Sequence, residues 1–285
     1  EAGQEGAVFT WNCVWSDRSE EVVYLWDFGD GTTLSETHDK GESVVSHTYA
    51  NGDATHEVGC EAEGQDSGDT DAATLEVAVV NATPVVTATG VASAEEGQAV
   101  TFDCTATDAG IDDELTYRWS FSDGAAYSGA SVSHAFGDDG SFRATCTVTD
   151  DDDDSGSSIL LLAVSNAAPT LAATGDETCM EDGPCSLALT LEDPGSEDTH
   201  NWTTSLPDGA GFDESSLLLS WVPTWEQVGK VTASFTVTDD DGGSETLNWT
   251  FDVAPFDQDG DGMSDHWELE NGLDASDPDD GGSDP

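Results

Sequence analysis

Apolar and polar residues alternate along most of this chain, which is the pattern of β-strands with one buried face. No stretch before residue 260 has a convincing helical period. About seven short strands in about eighty residues are typical of a β-sandwich, so the pattern predicts an all-β fold. Three segments show the alternation most clearly: Phe9, Trp11, Cys13 and Trp15; Val100, Phe102, Cys104 and Ala106; and Phe142, Ala144, Cys146 and Val148.

The chain also repeats itself. The motif WDFGDG at 26–31 is followed by SHTY at 46–49, and the related motifs WSFSDG and SHAF return at 119–124 and 133–136. Each copy ends near an Asn-Ala pair and a proline that suits a rigid linker. We therefore expect tandem immunoglobulin-like sandwiches in a rod, with domains at 1–81, 82–167 and 168–254 and a C-terminal segment at 255–285.

Six cysteines fall into three local pairs. An even number without CxxC clusters favours disulfides formed in an oxidising compartment, whereas zinc binding would need close ligand pairs and nearby histidines. In the first two units the order Cys…Trp…Cys is the immunoglobulin-like arrangement, in which the tryptophan packs on the bridge. The predicted pairs are Cys13–Cys60, Cys104–Cys146 and Cys179–Cys185.

The first two units carry a family resemblance. The motif WDFGDG followed by His-Thr-Tyr resembles the polycystic-kidney-disease-type (PKD) domain, an immunoglobulin-like module of extracellular proteins. The resemblance covers roughly residues 5–166. The second copy departs from the motif at Ser122, which replaces glycine, and at Phe136, which replaces tyrosine. The resemblance implies the fold strongly and the function weakly.

The third unit differs from the other two. When it is aligned on its terminal aspartates, Leu189 and Phe235 stand where the second unit has its bridge. We therefore expect Cys179 and Cys185 to staple a local hairpin instead. The turn residues of this unit, at 193–195, 206–209 and 221–224, resemble those of dystroglycan-type cadherin-like domains.

The charge of the chain is extreme, with 61 acidic against 5 basic residues and a formal net charge of −56. Such a surface repels phosphate backbones and anionic lipid, which excludes nucleic-acid binding and electrostatic membrane binding. The longest apolar run, at 159–164, is far shorter than the roughly 20 residues of a spanning helix, so no direct membrane insertion is expected. Molar salt or bound divalent cations would relieve the repulsion, and both indicate an extracellular or cell-surface location. Because the chain begins at Glu1 and ends in an acidic Gly/Ser segment, we expect a mature or excised part of a longer protein.

The C-terminal segment contains a candidate calcium loop that fits D-x-D-x-D-G-x5-E without a gap. A strand and Pro255 precede it, so it resembles the single Asp-rich loops of thrombospondin type 3 and bacterial surface repeats more than a paired EF-hand. A short helix at 265–271, ended by Gly272, is expected to follow. A second loop would begin at Asp274, Asp277, Asp279 and Asp280, and the alternative is a flexible acidic tail. The predicted Ca²⁺ ligands are Asp257, Asp259, Asp261, the Met263 carbonyl, Asp265 through water, and bidentate Glu268.

Further acidic residues collect in the loops at one end of each sandwich. These B–C and F–G loops face the preceding domain, as in cadherin-type linkers, and clustered like charges are costly unless a cation neutralises them. A solvated acidic face is the alternative. The first unit has Asp17, Glu20, Glu21, Glu63 and Asp66 in such loops. In the second and third units the candidate ligands are Asp108, Asp112, Asp150, Asp152, Asp193 and Asp239, with Asp113, Asp198 and the rest of 150–154 and 239–241 beside them.

No catalytic motif is present: the chain has no GxSxG elbow, HExxH helix or phosphate loop. His47 and His134 occupy equivalent repeat positions, which favours a structural role. We therefore expect a non-enzymatic extracellular structural or adhesive module, such as a stalk, an adhesin segment or a surface filament subunit, with Ca²⁺ as its cofactor.

Its expected partners are extracellular or cell-surface proteins or glycans, including copies of itself in a filament. The alternative is an accessory substrate-binding region of a secreted hydrolase or protease. An exposed sugar-stacking platform in the third unit would favour that alternative, and its candidate residues are Trp202, Trp221, Trp225 and Trp249.

Overall fold

A computed structural model describes residues 1–16, 21–39 and 41–279. The predicted loop acids Asp17 and Glu20, and Asp280 of the tail, lie outside these ranges. The chain divides into two compact units. Unit 1 comprises Glu1–Ala92, Val100–His134 and Ser141–Ala163, and unit 2 comprises Ser93–Ala99, Ala135–Gly140 and the chain from Val164 onwards.

The first sandwich lies in unit 1 and has the predicted alternation. Phe9, Trp11 and Trp15 are buried, whereas the residues between them face outward or are half-buried. One sheet has the order β1-β7-β6-β3-β4 and the other contains β2 and β5. The strands are β1 (Ala2–Gln4), β2 (Val8–Val14), β3 (Val22–Asp27), β4 (Thr33–His38), β5 (Glu42–Thr48), β6 (Ala54–Gly64) and β7 (Thr70–Val80).

The Cys13–Cys60 disulfide joins the two sheets of this sandwich, as predicted. Trp26 on β3 is the cross-strand partner of Cys60 and is buried beside it. Its indole Nε1 donates to the Ser43 hydroxyl at 2.9 Å, which satisfies the one polar atom of the side chain. The bridge therefore joins the second and sixth strands, and the tryptophan packs on it from the third, as in the immunoglobulin-like arrangement.

The second sandwich repeats this plan with one additional strand. Its sheets have the orders β13-β10-β8 and β12-β11-β14-β15, and β9 lies beside the last residues of β15. Cys104–Cys146 is formed, and Trp119 is the buried partner of Cys146. The strands are β8 (Val85–Thr89), β9 (Ser93–Glu95), β10 (Val100–Thr107), β11 (Thr116–Phe121), β12 (Ala126–Ser128), β13 (Ser131–His134), β14 (Gly140–Thr149) and β15 (Ser155–Ser165).

The third sandwich lies in unit 2, and its sheets have the orders β16-β18-β21-β20 and β17-β23-β22-β19. Leu189 and Phe235 are buried in its core, as the alignment predicts. A 3₁₀-helix, Trp225–Gln227, precedes β22. The strands are β16 (Thr170–Gly175), β17 (Thr178–Met180), β18 (Cys185–Glu192), β19 (Asn201–Ser205), β20 (Gly211–Asp213), β21 (Leu218–Trp221), β22 (Gly229–Thr238) and β23 (Ser244–Ala254).

The third predicted disulfide, Cys179–Cys185, is formed, but the expected hairpin is wrong. Cys179 lies on β17, which pairs in parallel with β23, whereas Cys185 lies on β18, which pairs with β16 and β21. The chain crosses between sheets within these few residues. The bridge therefore links the two sheets, as the longer bridges do in the other sandwiches.

The tail contains α1 (Asp265–Asn271), the helix predicted from the sequence. The Ser264 hydroxyl caps its start by accepting from the Trp267 amide, and Gly272 ends it with a φ of 75° that favours glycine. Among the described residues, no helix has the length and apolar character that crossing a membrane requires.

Candidate metal centres

Five carboxylates of unit 1 form what we call the first acidic cluster: Glu5, Asp108, Asp113, Asp150 and Asp152. Glu5 follows β1, and the loops β10–β11 and β14–β15 supply the aspartates. Oxygens of Glu5, Asp113 and Asp152 lie within 4.8 Å of one another, and so do oxygens of Asp108, Asp113 and Asp150. Asp113 therefore belongs to two adjoining groups.

Backbone hydrogen bonds fix Glu5 in this position. Its amide donates to the Val80 carbonyl at 3.1 Å, which anchors the residue at the end of β7. Its Oε1 accepts from the Ala82 amide at 2.8 Å, and the side chain is only 1 % exposed. The second oxygen, Oε2, is thereby held against the aspartates of the loops.

The loop β14–β15 is folded around Asp150. Its Oδ1 accepts from the amides of Asp152 and Asp154 at 3.1 and 2.8 Å, which closes the turn. Its Oδ2 accepts from the Asn81 side chain at 3.1 Å. Asp150 thus shapes the loop, while the carboxylate of Asp152 stays close to Glu5.

Several oxygens of the cluster are buried without a hydrogen-bond donor among the described residues: Glu5 Oε2, Asp108 Oδ2, both oxygens of Asp113, and Asp152 Oδ2. Leaving a buried acceptor unsatisfied costs about 1–3 kcal/mol, and more when it is charged. Converging carboxylate oxygens are the ligand set that Ca²⁺ prefers. The residues present therefore fit a calcium ion.

The pKa values of the carboxyl groups in the first acidic cluster reflect the same cost of burying negative charge. Burial, followed by the charges of Asp108 and of the aspartates at 150–152, raises the pKa of Asp113 to about 6. The pKa of Glu5 is also raised, first by burial and then by Asp113 and Asp108, against the lowering effect of the Ala82 amide. Without a cation, Glu5 and Asp113 therefore take up protons at a higher pH than ordinary carboxyl groups do.

Unit 2 repeats the arrangement in the second acidic cluster, which we define as Glu96, Asp138, Asp193, Asp198 and Asp239. Oxygens of Glu96, Asp138 and Asp198 lie within 4.8 Å of one another, as do those of Asp193, Asp198 and Asp239. Asp198 is the shared residue here, as Asp113 is in the first cluster.

The hydrogen bonds of Glu96 match those of Glu5. Glu96 is 1 % exposed, and its Oε1 accepts from the Ala167 amide at 2.7 Å. Glu96 Oε2 and both oxygens of Asp198 are buried without a donor in the described chain. Burial, followed by the charges of Glu96 and Asp193, raises the pKa of Asp198 to about 6.

Asp239 matches Asp150. Its Oδ1 accepts from the amides of Asp241 and Gly243 at 3.1 and 2.7 Å, and the Asn166 side chain donates to both of its oxygens at 3.2 Å. Asn81 and Asn166 are the asparagines of the two Asn-Ala pairs, and their side chains hold the loops β14–β15 and β22–β23, respectively. Asp193 differs from its counterpart because its Oδ2 bonds with His200 Nε2 at 2.7 Å.

The structure brings most of the candidate loop ligands into the clusters, but not all of them. Asp108, Asp150 and Asp152 meet in unit 1, and Asp193 and Asp239 meet in unit 2. Asp112 is exposed and belongs to neither of the two groups described above, in which its neighbour Asp113 takes the shared position.

Glu5 and Glu96 are the ligands that sequence reasoning missed. A signal was present, because each lies eight residues before the first cysteine of its bridge, at Cys13 and Cys104. Glu181 stands at the same distance before Leu189 and is also buried. Its amide donates to the Ala254 carbonyl at 2.9 Å, as those of Glu5 and Glu96 do to their own last strands.

The tail loop is folded by its own carboxylates. Asp257 accepts from the amides of Gly260 and Gly262 at 2.7 and 3.1 Å, and Asp261 Oδ1 accepts from the Met263 amide at 2.8 Å. Both glycines have positive φ values, 80° and 99°, which this tight turn requires.

Of the other candidate ligands in the tail, Asp259 and Asp265 also accept backbone amides, from Asp261 at 3.2 Å and from Gln258 at 2.6 Å. Glu268 on α1 is fully buried, which is unusual for a glutamate. His266 stacks on Trp225 with ring centroids 3.9 Å apart, so the helix docks on the third sandwich. The loop is thus ordered in the part that carries the predicted ligands.

The recurring histidines bond with the recurring aspartates. His47 Nε2 lies 2.6 Å from Asp30, and His134 Nε2 lies 2.5 Å from Asp123. Burial alone would raise the pKa of Asp30, but hydrogen bonds from Thr32 and His47 outweigh it and lower the pKa to about 2. These pairs tie the turn of each motif copy to the neighbouring strand, which fits the expected structural role.

The four tryptophans of the third sandwich do not form an exposed platform. Trp221 is buried, and Trp202 packs on Phe212 with centroids 5.4 Å apart. Trp249 Nε1 donates to the Asp176 carbonyl at 3.2 Å, and Trp225 remains 45 % exposed but stacks one face on His266. These four side chains therefore do not form the exposed sugar-stacking platform that would favour an accessory substrate-binding region.

The sequence matches family models along most of its length. Residues 2–77 and 81–161 each match a model described as PKD domain, and residues 168–254 match one described as putative Ig domain. No curated protein sequence matches the chain. The dystroglycan-type and thrombospondin-type resemblances stay predictions.

Three similar solved structures illustrate the structural likeness. The amphioxus IgVJ-C2 molecule is 14 % identical, with 57 % of this chain and 99 % of that chain covered and a TM-score of 0.36. The three N-terminal domains of the bacteriophage RB49 outer capsid protein Hoc are 13 % identical, with 88 % and 94 % covered and a TM-score of 0.29. Drosophila N-cadherin EC1-4 is 14 % identical, with 86 % and 69 % covered and a TM-score of 0.27. On the matches to the family models, the chain contains two PKD-type immunoglobulin-like domains, followed by a third immunoglobulin-like sandwich and an acidic tail.

Proposed function

We propose that the chain is a non-enzymatic structural or adhesive module of an extracellular or cell-surface protein, stabilised by disulfides and by Ca²⁺ in its acidic clusters and tail loop. The observation that carries this proposal is the burial of carboxylate oxygens that have no hydrogen-bond donor among the described residues, at Glu5 and Asp113 in unit 1 and at Glu96 and Asp198 in unit 2. A solvated acidic coat does not account for them, because these oxygens are out of contact with solvent.

The two groups of oxygens in each cluster support a proposal of two ions per cluster. Asp113 contributes to two groups of oxygens and has two unpaired oxygens of its own, so one oxygen can serve each ion. Asp198 has the same property in the second cluster. Water and backbone carbonyls would complete the six to eight oxygens that Ca²⁺ takes.

The chemistry of the ligands favours calcium over other ions. The two clusters offer carboxylate oxygens and neither cysteine nor unpaired histidine nitrogen, which argues against zinc. Magnesium retains most of its water and demands regular octahedral geometry, so it suits crowded multi-carboxylate groups less well. Sodium at molar concentration would screen the exposed acids but would bind these pockets weakly.

The compartment and the partners are part of the same proposal. Three disulfides with no free cysteine in the described chain fit an oxidising environment, and PKD-type domains fit an extracellular or surface protein. The proposed partners are other extracellular or cell-surface proteins or glycans, including further copies of the chain in a filament.

Calorimetric titration of the chelator-treated chain with CaCl₂ tests the proposal, with Asp113→Asn as the variant and Asp112→Asn as the matched control. We expect Asp113→Asn to weaken binding in the first cluster by about tenfold or more, because it removes one ligand charge shared by two ions. Asp112→Asn should leave the titration unchanged. Identical titrations for all three proteins would contradict the proposal, and so would an effect of calcium that molar NaCl reproduces in full.

A further inference from the structure

The first sandwich has an open sheet edge that the other two sandwiches do not have. Among the described residues, β2 pairs with β5 alone. Its counterpart β10 pairs with β13 and β8, and its counterpart β18 pairs with β21 and β16. In the part of the chain that the structure describes, no strand beside β2 therefore corresponds to β8 and β16.

A groove of about 400 Å³ lies along this edge, between β2 and β7. Trp11, Cys13 and Trp15 line one wall, and Ala73 and Leu75 line the other. The backbone amides and carbonyls that face the groove are those of Asn12 and Val14, because the Trp15 amide points the other way and donates to Gly41 at 2.9 Å. The groove thus offers apolar side chains together with an unpaired strand edge.

One face of β7 is buried at one end of the strand and exposed along the groove. Asp71, Ala73 and Leu75 lie on the same face of β7 as the buried Val77 and Val79, yet all three are exposed, Leu75 to 43 %. A face that is buried at one end of a strand and bare at the other lacks a covering element.

In the other sandwiches the equivalent residues are covered. Ser158 and Leu160 on β15 are half-buried, and the Ser158 hydroxyl accepts from the Ala88 amide of β8 at 3.2 Å. Leu247 and Trp249 on β23 pack in the core of the third sandwich together with Ala173 of β16. The first strand of each of these sandwiches provides the cover.

The repeats also indicate where the missing strand would lie in sequence. The Ala78 amide donates to the Glu1 carbonyl, and the Ala163 amide donates to the Ala92 carbonyl, so Glu1 and Ala92 are equivalent. The strand β8 lies three to seven residues before Ala92. In the third sandwich, β16 ends shortly before Glu177, whose carbonyl accepts from Asp252 in the same way.

We propose that this groove binds an uncharged extended strand contributed by the polypeptide directly preceding Glu1, paired antiparallel with β2. The proposal goes beyond the calcium-bound module and does not depend on it. By analogy with the pairs Asp103–Thr89 and Thr105–Thr87, the strand would face Asn12 and Val14.

Charge favours this source over a second copy of the chain. The groove carries the carboxylates of Glu1 and Asp71, and Glu1 Oε2 accepts from Trp11 Nε1 at 3.0 Å. The covering strands β8 and β16 contain no charged residue, which avoids repulsion from such a wall. A second copy with a net charge of −56 would be strongly repelled.

An N-terminal extension tests the proposal directly. The full chain is extended with a copy of residues 83–91, so that the copy of Val91 joins Glu1 in the register of the second sandwich. We expect amide hydrogen exchange at Asn12 and Val14 to slow by about tenfold or more, and the first sandwich to unfold about 5 °C higher. A control extension carries aspartate in place of the two groove-facing residues of the copy, those corresponding to Val86 and Ala88, and should change neither quantity.

Two variants show whether the extension occupies the groove. Ala73→Glu places a charge on the exposed β7 wall and should abolish both the slower amide exchange and the higher unfolding temperature. Val44→Glu, on the outer face of β5, should retain both effects. The proposal would be overturned if the extension with residues 83–91 and the aspartate control slowed exchange and raised the unfolding temperature equally. It would also be overturned if neither extension changed these quantities.

A free peptide of the same nine residues distinguishes the sources of the strand. It should bind to the unextended chain and not to the extended one, because the extension fills the groove. If the extended chain binds the peptide as tightly as the unextended chain does, the groove serves a strand from another polypeptide, and the assignment to the preceding segment is wrong.

Discussion

Replacing Glu5 with glutamine removes one buried negative charge from the first acidic cluster and retains the oxygen that accepts the Ala82 amide. The sign of its effect should depend on calcium. In chelator the variant should be more stable than the wild type, because the remaining carboxylates lose a like-charged neighbour. In calcium it should be less stable, because the ion loses a charged ligand.

The separations in the structure set the size of the first effect. Two unit charges 4.8 Å apart interact by about 3.5 kcal/mol at an effective dielectric constant of about 20. Protonation lowers this figure, since Asp113 with its raised pKa takes up a proton more readily and relieves part of the repulsion. We therefore expect Glu5→Gln to stabilise the calcium-free chain by about 1–3 kcal/mol.

The size of the second effect depends on occupancy. Calcium at a hundred times its dissociation constant stabilises the native state by about 2.7 kcal/mol per site, and the variant should lose much of this gain.

Differential scanning calorimetry at pH 7, in chelator and in saturating CaCl₂, measures both effects. Glu61→Gln is the matched control, because Glu61 is exposed on β6 away from the cluster, and it should show neither effect. If Glu5→Gln lowers the unfolding temperature equally in both buffers, Glu5 is only a structural hydrogen-bond acceptor and the reasoning is refuted.

Three further predictions concern the bridges, the pH and the tail. Replacing Cys104 and Cys146 with alanine opens a loop of 42 residues and should cost about 4 kcal/mol, seen as a lower denaturation midpoint; an unchanged midpoint would contradict it. With the pKa of Asp113 and Asp198 raised by burial to about 6, the calcium-free native chain binds protons that the unfolded chain has lost, so its melting temperature should fall as the pH rises from about 4 to 6. A rise over that range would contradict the pKa assignment. Glu268→Gln should remove the titration heat of one calcium ion and leave the two clusters intact; an unaltered titration would exclude the tail site.

The sandwiches could be predicted from the sequence because the signals for them are local and repeated. Alternation with period two follows directly from the geometry of a strand, and the tryptophan and cysteines recur at matching positions in two units. The helix at 265–271 was predictable for the same reason, since its capping serine and its terminal glycine lie next to it in sequence.

The features that the sequence analysis missed or predicted wrongly depend on contacts between distant parts of the chain, which no local pattern encodes. The hairpin expected at Cys179 was wrong because the chain changes sheets between β17 and β18, and spacing alone cannot show to which sheet a three-residue strand belongs. The choice between Asp112 and Asp113 depends on the conformation of one loop. Glu5 was missed because it reaches the cluster from the preceding sandwich, although its repetition at Glu96 was visible in the sequence.

Counting bound ions by native mass spectrometry tests the central claim most directly. With two ions at each cluster and one in the tail, the calcium-saturated wild type should carry five. At a calcium concentration that just fills the wild type, the weakened clusters of Asp113→Asn and Asp198→Asn should each carry up to two ions fewer, and Asp112→Asn should lose none. A wild-type chain that retains no calcium at physiological salt, or the same ion count in all four proteins, would contradict the account.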